Sequence, residues 1–383
     1  MAKYKIDIGY PSEKMEENKR RFEATASLKP TDRAPVLFGT LERFYLRERG
    51  VGYLEFFSDS RTMLHNEIMN RAWAIENIPD DRCVDKVLYV TPWWENVVPP
   101  VSFGAEVIWL DDQPPYTKPL FSSPEEVKKF EIPAPDSGLW GKSIQYFLEW
   151  HEMIIDYDIR FNGEPGRIKL SPLNFGADGP FLMAVELVGQ DFYSWLYTCP
   201  ETAHLLLNKI TEAFINTELY FREIDPRPRN EFYIAEDYAE MISCEMFKEF
   251  VVPYDNKLYN IFGKDIKPGR GLHNCGDSKH LLDSFVNDLR ITHFLLFGSP
   301  VDPYVVSKKM GGKIYCRGNL SCSNLHAGPE EKIYEESINC LEAFSNCGNY
   351  CLADGANVAP GTPLSNLSQV IKAARDYGSF PKR

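Results

Sequence analysis

Lys313-Ile314-Tyr315-Cys316-Arg317-Gly318-Asn319, a helical pattern from Pro329 to Cys347, and Asn349-Tyr350-Cys351-Leu352-Ala353-Asp354-Gly355 together decide the fold. Each flanking run starts apolar and ends polar, and the segment between them carries apolar residues at helical spacing. That order predicts a strand, a crossover helix and a second, parallel strand. The rhythm extends upstream. Strands are expected at Arg167–Pro172, Glu231–Asp237, Gly271–Gly276 and Thr292–Phe297, with helices over 140–156, 180–189, 200–222, 243–262, 278–289, 303–310 and 363–377. A helix over 12–27 precedes Arg33-Ala34-Pro35-Val36-Leu37-Phe38-Gly39, an apolar run ended by glycine, which is read as the first strand. About eight strands alternating with helices predict an α/β protein, specifically a (β/α)8 TIM barrel with an elaborated N-terminal excursion. No Gly-x-Gly-x-x-Gly follows the first strand and there is no Walker-A loop, so an open dinucleotide-binding sheet lacks its main signature.

The chain is expected to be one domain over residues 1–383, a length that a single α/β barrel can reach. Residues 40–120 break the rhythm with Phe56-Phe57, Trp93-Trp94, Pro99-Pro100, Trp109 and Pro114-Pro115-Tyr116. Linkers are seldom this aromatic, so the segment is expected to cover the barrel mouth, with a small sheet of its own.

Lys and Arg number 42 against 55 Asp and Glu, a formal charge of −13, and the basic runs at 19–21 and 381–383 are short. Phosphate neutralisation needs clustered cations, so no nucleic-acid partner is expected. No apolar run approaches the roughly 20 residues of a membrane span, and the opening Met-Ala-Lys-Tyr-Lys lacks the apolar core of a signal peptide. Nine cysteines, an odd number without framework spacing, are expected to be free thiols. A cytoplasmic enzyme with no membrane partner is expected, and a homodimer stays open.

In a barrel the chemistry lies where strands end. Those ends supply Glu236, Asp237 and Tyr238, then His273, Cys275 and Asp277, then Arg317 and Asn319, then Asp354 and Asn357. His273 and Cys275 are two apart on one expected strand, which points both side chains to the same face. An imidazole and a thiolate there suit zinc, which accepts mixed ligands and keeps a position open in catalytic sites. The alternative is a packed cysteine beside a hydrogen-bonded histidine. Glu236 and Asp237 either complete a ligand set and serve as acid or base, or act as a helix cap and a structural ion pair. Trp93, Trp94, Trp109 and Tyr116 either line a pocket for a ring-bearing substrate or pack the excursion. Cys316 and Cys351 read as core.

Taken as a set, Leu272-His273-Asn274-Cys275-Gly276-Asp277, Arg317-Gly318-Asn319-Leu320, Gly328-Pro329-Glu330-Glu331 and the run from Gly355 to Leu367 resemble the uroporphyrinogen decarboxylase superfamily. Within it the likeness is greatest to the zinc-dependent corrinoid methyltransferases, including those of O-demethylase type. The resemblance covers roughly residues 20–380 and implies a TIM barrel. It also implies a bound zinc and a corrinoid carried by a partner protein, since no Asp-x-His-x-x-Gly motif for holding the corrinoid occurs here. The implied reaction moves a methyl group between a small methylated substrate and that corrinoid. The aromatic excursion favours a methoxy-aromatic over a thiol or an amine.

Two departures bear on the site. The thiol-methylating members resembled here carry a third, later cysteine ligand, and this chain has Ala356 at that position. The resemblance therefore implies a metal set of His273, Cys275 and Glu236, with Asp237 and Asp354 in reserve. Glu236, Asp237 and His273 are the expected catalytic residues; Trp93, Trp94, Tyr238, Asn319 and Asn357 are expected to contact substrate. The decarboxylases resembled here carry an Arg-Gln-Ala-Gly-Arg segment after the first strand, whereas this chain reads Gly39-Thr40-Leu41-Glu42-Arg43. A tetrapyrrole octacarboxylate needs several converging cations, so a carboxy-lyase is the alternative reading, with a metal-free binding paralogue beside it.

Overall fold

The computed structural model describes residues 3–229, 232–263 and 269–382. Glu231, which opens one expected strand, the first two residues of the N-terminal segment and Arg383 of the basic tail lie outside them. Twelve strands are numbered in chain order: β1 Tyr4–Ile8, β2 Val87–Val90, β3 Val107–Ile108, β4 Tyr116–Thr117, β5 Tyr157–Phe161, β6 Glu164–Pro165, β7 Arg167–Leu170, β8 Phe232–Ala235, β9 Arg270–His273, β10 His293–Phe297, β11 Tyr315–Leu320 and β12 Tyr350–Asp354.

β12, β11, β10, β9 and β8 form one parallel sheet in that order. Register places Ala235, His273, Leu295, Arg317 and Cys351 side by side across its five strands. Between these strands run helices that bury one apolar stripe against the sheet, as Glu330–Phe344 does with Ile333, Ser337, Cys340, Leu341 and Phe344. Outward strand residues such as Ile234, Leu272, Phe294, Cys316 and Leu352 are fully buried beneath such helices. Parallel strands covered in this way read as apolar on their outer face, which is why the C-terminal half was legible.

Residues 35–37 extend the sheet beyond β12: Leu37 N–H donates to the Leu352 carbonyl and Leu352 N–H to that of Pro35. Val36 forms a parallel bridge to Leu352, so the expected first strand exists only as a short bridging segment. Its other side is satisfied by side chains. Val36 N–H donates to Asp81 (2.8 Å) and Phe38 N–H to Asp80 (3.3 Å), while Arg21 and Arg33 clamp Asp81. Carboxylates thus take the place of a neighbouring strand. β2 and β7 make a separate parallel pair, and residues 177–179 bridge to β8 through Ala235 N–H to Ala177 O and Gly179 N–H to Ala235 O. Among the described residues these ladders do not join into one continuous ring.

Three expectations are corrected. Residues 40–120 are not a pure excursion, because they contain β2, which pairs with β7, and the helices Glu42–Arg49 and Ser60–Asn77; the expected small sheet is the β3–β4 hairpin. β1, unexpected from its half-polar sequence, pairs in parallel with β5 in a sheet with β6. The helix expected over 243–262 is two, Cys244–Phe250 and Val252–Phe262. Pro253 sits at the start of the second, where its missing N–H is harmless, and it could not sit inside one continuous helix. No helix among the described residues is long and apolar enough to cross a membrane.

Candidate metal centre at the strand ends

β8 and β9 place their carboxyl ends together, with Ala235 opposite His273. Two residues further on, Asp237 and Cys275 are therefore level, and Cys275 N–H donates to Asp237 Oδ1 at 2.8 Å. Side chains alternate along both segments. Asp237, His273 and Cys275 share the inner face, and their ligand atoms all lie within 4.8 Å of one another. His273 Nε2 is 3.4 Å from Asp237 Oδ1, and its Nδ1 is 3.0 Å from the Leu295 carbonyl. A carbonyl can only accept, so Nδ1 donates to it and Nε2 is the ring nitrogen turned toward the cluster.

The donor set fits a zinc ion. One nitrogen, one sulfur and one carboxylate oxygen converge, all three residues are half-buried, and three protein ligands leave a fourth position for substrate. Burial, then Asp237, hold the Cys275 thiol well above the ordinary cysteine range. A cation at this position would reverse that balance, because a coordinating thiol is deprotonated.

The same alternation removes Glu236 from the expected ligand set. Glu236 points outward, fully buried, and its carboxylate accepts from Phe181 N–H (3.1 Å) and Leu182 N–H (2.8 Å) at the start of the helix Pro180–Val188. It caps that helix end. Gly179 permits the approach, since a methyl group there would overlap the Glu236 carboxylate. Burial, followed by neighbouring Asp255, keeps the Glu236 pKa far above the carboxylate norm, and burial pushes Asp255 up to about 8. Asn274, equally buried and outward, ties Nδ2 to the Glu236 carbonyl at 2.6 Å. Asp237, held in reserve on sequence grounds, is the carboxylate in the cluster. Register distinguishes the two: with Ala235 opposite His273, Tyr233, Ala235 and Asp237 share the parity of Gly271, His273 and Cys275.

Asp354 also leaves the ligand set. It is fully buried, Oδ1 accepts from Gly39 N–H at 2.7 Å, and Oδ2 has no hydrogen-bond partner among the described residues. Burial raises its pKa, opposed by Arg317. Gly39 is required beside it, because a Cβ there would lie 2.9 Å from both Asp354 Oδ2 and Leu296 Cδ1. Among the other thiols, Cys316 and Cys351 are core, as expected. Cys322 faces the backbone N–H groups of Gly355, Ala356 and Asn357, yet burial leaves its pKa near 11.

Of the expected substrate contacts, two are packing. Trp94 is buried, donates Nε1 to Ser143 Oγ at 3.1 Å and stacks on Phe57. Asn319 is buried, and its Nδ2 holds the loop after β10 through the carbonyls of Gly298 (3.1 Å) and Val301 (2.7 Å). Trp93 is half-buried against Phe56 and Phe57. Tyr238 lies at the rim, partly exposed, with its hydroxyl on Glu186 at 2.8 Å. Asn357 is half-buried in the loop after β12. One residue escaped notice in the sequence: Asp178, bridged to Ala235 beside the cluster, has its pKa pushed up to about 7 by burial, Glu186 and Asp237. It lies in a loop without periodicity, so only pairing to β8 reveals its place.

Arg43 does not offer a free cation either. Nη2 is 3.3 Å from Glu95, a buried carboxylate whose pKa burial lifts to about 7.

The uroporphyrinogen decarboxylase (URO-D) family profile matches residues 17–377. A methylated-thiol:coenzyme M methyltransferase of Methanosarcina mazei is 26% identical over 287 residues, 72% of this chain and 70% of that protein. A methylcobamide:CoM methyltransferase of Methanosarcina acetivorans is 24% identical over 202 residues, 52% of this chain and 56% of that one. The uroporphyrinogen decarboxylase of Danio rerio is 25% identical over 187 residues, 48% and 49% of the two chains. Among solved structures, a methyltransferase from Methanosarcina mazei superposes with a TM-score of 0.67 at 19% identity, covering 94% of this chain and 98% of that one, and so shares the fold.

Proposed function

Because the chain belongs to the uroporphyrinogen decarboxylase (URO-D) family, we propose that it is a methyltransferase of the corrinoid-dependent branch. It moves a methyl group between a small methylated compound, a methoxy-aromatic in our reading, and a corrinoid on a partner protein. The observation that carries this reading is the convergence of Asp237, His273 and Cys275 at the strand ends. Relatives named as methylated-thiol and methylcobamide methyltransferases support it. The reading takes eight parallel segments, residues 35–37, β2 and β7 through β12, as the staves of one (β/α)8 barrel.

Asp237, His273 and Cys275 would hold a zinc ion, which supplies Lewis acidity toward the ether, thioether or amine atom that the methyl group leaves. The chain's own residues do the rest. The Leu295 carbonyl fixes the His273 ring and its tautomer. We assign to Asp178, beside the cluster through its bridge to Ala235, the exchange of a proton with the departing atom. Trp93, half-buried, and Tyr238, partly exposed, are the side chains we assign to contact with an aromatic ring. The carboxy-lyase alternative loses support from the Arg43–Glu95 pair, which ties up the one arginine of the Gly39–Arg43 segment.

The test joins metal analysis to turnover. Zinc-reconstituted protein is compared with a His273→Ala, Cys275→Ala double variant for metal content, then for methylation of cob(I)alamin by methoxy-aromatic donors, followed by visible absorbance. About one zinc per chain, lost in the variant together with methylcobalamin formation, is the expected result. Equal turnover without metal would overturn the proposal.

A further inference from the structure

The interior of the parallel sheet holds a cation that the ligand cluster does not use. Register places Arg317 level with His273, two strands away across Leu295. At about 4.8 Å per strand, the two backbones are some 10 Å apart on the same inward face. Arg317 is half-buried, and among the described residues its one hydrogen bond is from Nε to the Leu37 carbonyl at 3.1 Å, across the sheet from β11. Neither terminal nitrogen has an acceptor, and Arg317 makes no ion pair among the described residues. The carboxyl group that senses it is Asp354, which remains beyond ion-pair distance with Oδ1 committed to Gly39.

A guanidinium stays charged at any pH a protein tolerates. Held partly out of water without a counter-charge, it is costly unless an anion arrives. Its anchored Nε orients the fork, and the two free NH2 groups match the paired oxygens of a carboxylate or sulfonate. Around the ligand cluster the side chains of Asp178, Glu186, Asp237 and Glu240 are acidic. An anionic ligand entering there needs a specific cation to hold it.

Building on the proposed methyl transfer, we infer that Arg317 binds an oxyanion on the substrate. The substrate is then a methyl-bearing compound with a carboxylate or sulfonate separated by a short spacer, such as one ring, from the atom that carries the methyl group. The His273 cluster meets the methyl-bearing end, and Arg317 meets the anionic end.

Calorimetric titration of the resting protein, with and without one equivalent of zinc, tests this independently of turnover. The probes are 4-methoxybenzoate, its neutral counterpart 4-methoxybenzyl alcohol, and 2-(methylthio)ethanesulfonate. The expected result is that at least one anion binds wild type ten-fold or more tightly than the alcohol, that Arg317→Gln removes this preference, and that Arg317→Lys restores part of it. Unchanged alcohol binding and an unchanged melting temperature show that the variants are folded. Whichever of the two anions binds more tightly identifies the source of the oxyanion. Equal binding of benzoate and alcohol, with the sulfonate no tighter, would overturn the inference, as would an anion preference that survives in Arg317→Gln. If anion binding behaves as expected but no methyl transfer is found, the methyl-transfer reading fails and the anion site stands.

Discussion

His273 Nε2 lies 3.4 Å from Asp237 Oδ1 while the Leu295 carbonyl takes the opposite ring nitrogen. The ring is fixed from behind and turns Nε2 toward a carboxylate and a thiol. Replacing any of the three inward side chains is expected to weaken zinc binding. Asp237→Asn should cost roughly ten-fold or more in affinity, since even supporting residues of metal sites are worth 10–100-fold. Glu236→Gln should leave the affinity unchanged. Competition with a chromophoric chelator measures both, and a larger loss from Glu236→Gln than from Asp237→Asn would reverse the assignment made here.

Glu236 acts on the fold. Removing its carboxylate strands the Phe181 and Leu182 N–H groups in a buried space, at about 1–3 kcal/mol for each unmet donor. Glu236→Ala is expected to lower stability by about 2 kcal/mol or more in denaturant titration. Glu236→Gln keeps one acceptor oxygen for the two N–H groups and should fall between wild type and Glu236→Ala.

Asp255 makes stability depend on pH. Its folded pKa of about 8 lies above the ordinary aspartate value of 3.8, so the folded state holds a proton that the unfolded chain has released. The resulting stability is fully present below about pH 4 and is lost as pH rises through 8. Asp255→Asn fixes the uncharged form. Its melting temperature relative to wild type should therefore climb between pH 4 and 8, and a difference that stays flat across that range would contradict the assignment.

Trp94 and Asn319 should respond as structural residues. Trp94→Ala empties a large buried site and is expected to cost about 3–5 kcal/mol. Asn319→Ala unties the Gly298 and Val301 carbonyls, with a loss of about 1–3 kcal/mol. Both variants, measured at a temperature where they remain folded, should bind zinc as wild type does.

Gly39 should not tolerate a side chain. Gly39→Ala brings a methyl group against Asp354 and Leu296, and overpacking of this kind typically costs about 1–3 kcal/mol. Thermal melting checks the loss.

The alternation of strands and helices in the C-terminal half was written in the sequence, because parallel strands buried under helices need apolar runs bounded by polar ends. The inward pairing of His273 with Cys275 was legible for the same reason, since side-chain parity is a local property of the chain. What the sequence left open depended on contacts between distant segments. Glu236 and Asp237 are adjacent and chemically alike, and register against β9 separated a helix cap from a member of the cluster. Asp178 gained its place through pairing to β8, and Asp354 lost its place to Gly39, more than three hundred residues away in the chain. Arg317 carries no local mark of being unpaired; that its terminal nitrogens meet no acceptor among the described residues is a property of everything packed around it. Residue type and spacing set which chemistry the chain can perform, and tertiary register decided which of several equivalent side chains perform it, because register brings atoms from separate strands within a few ångströms.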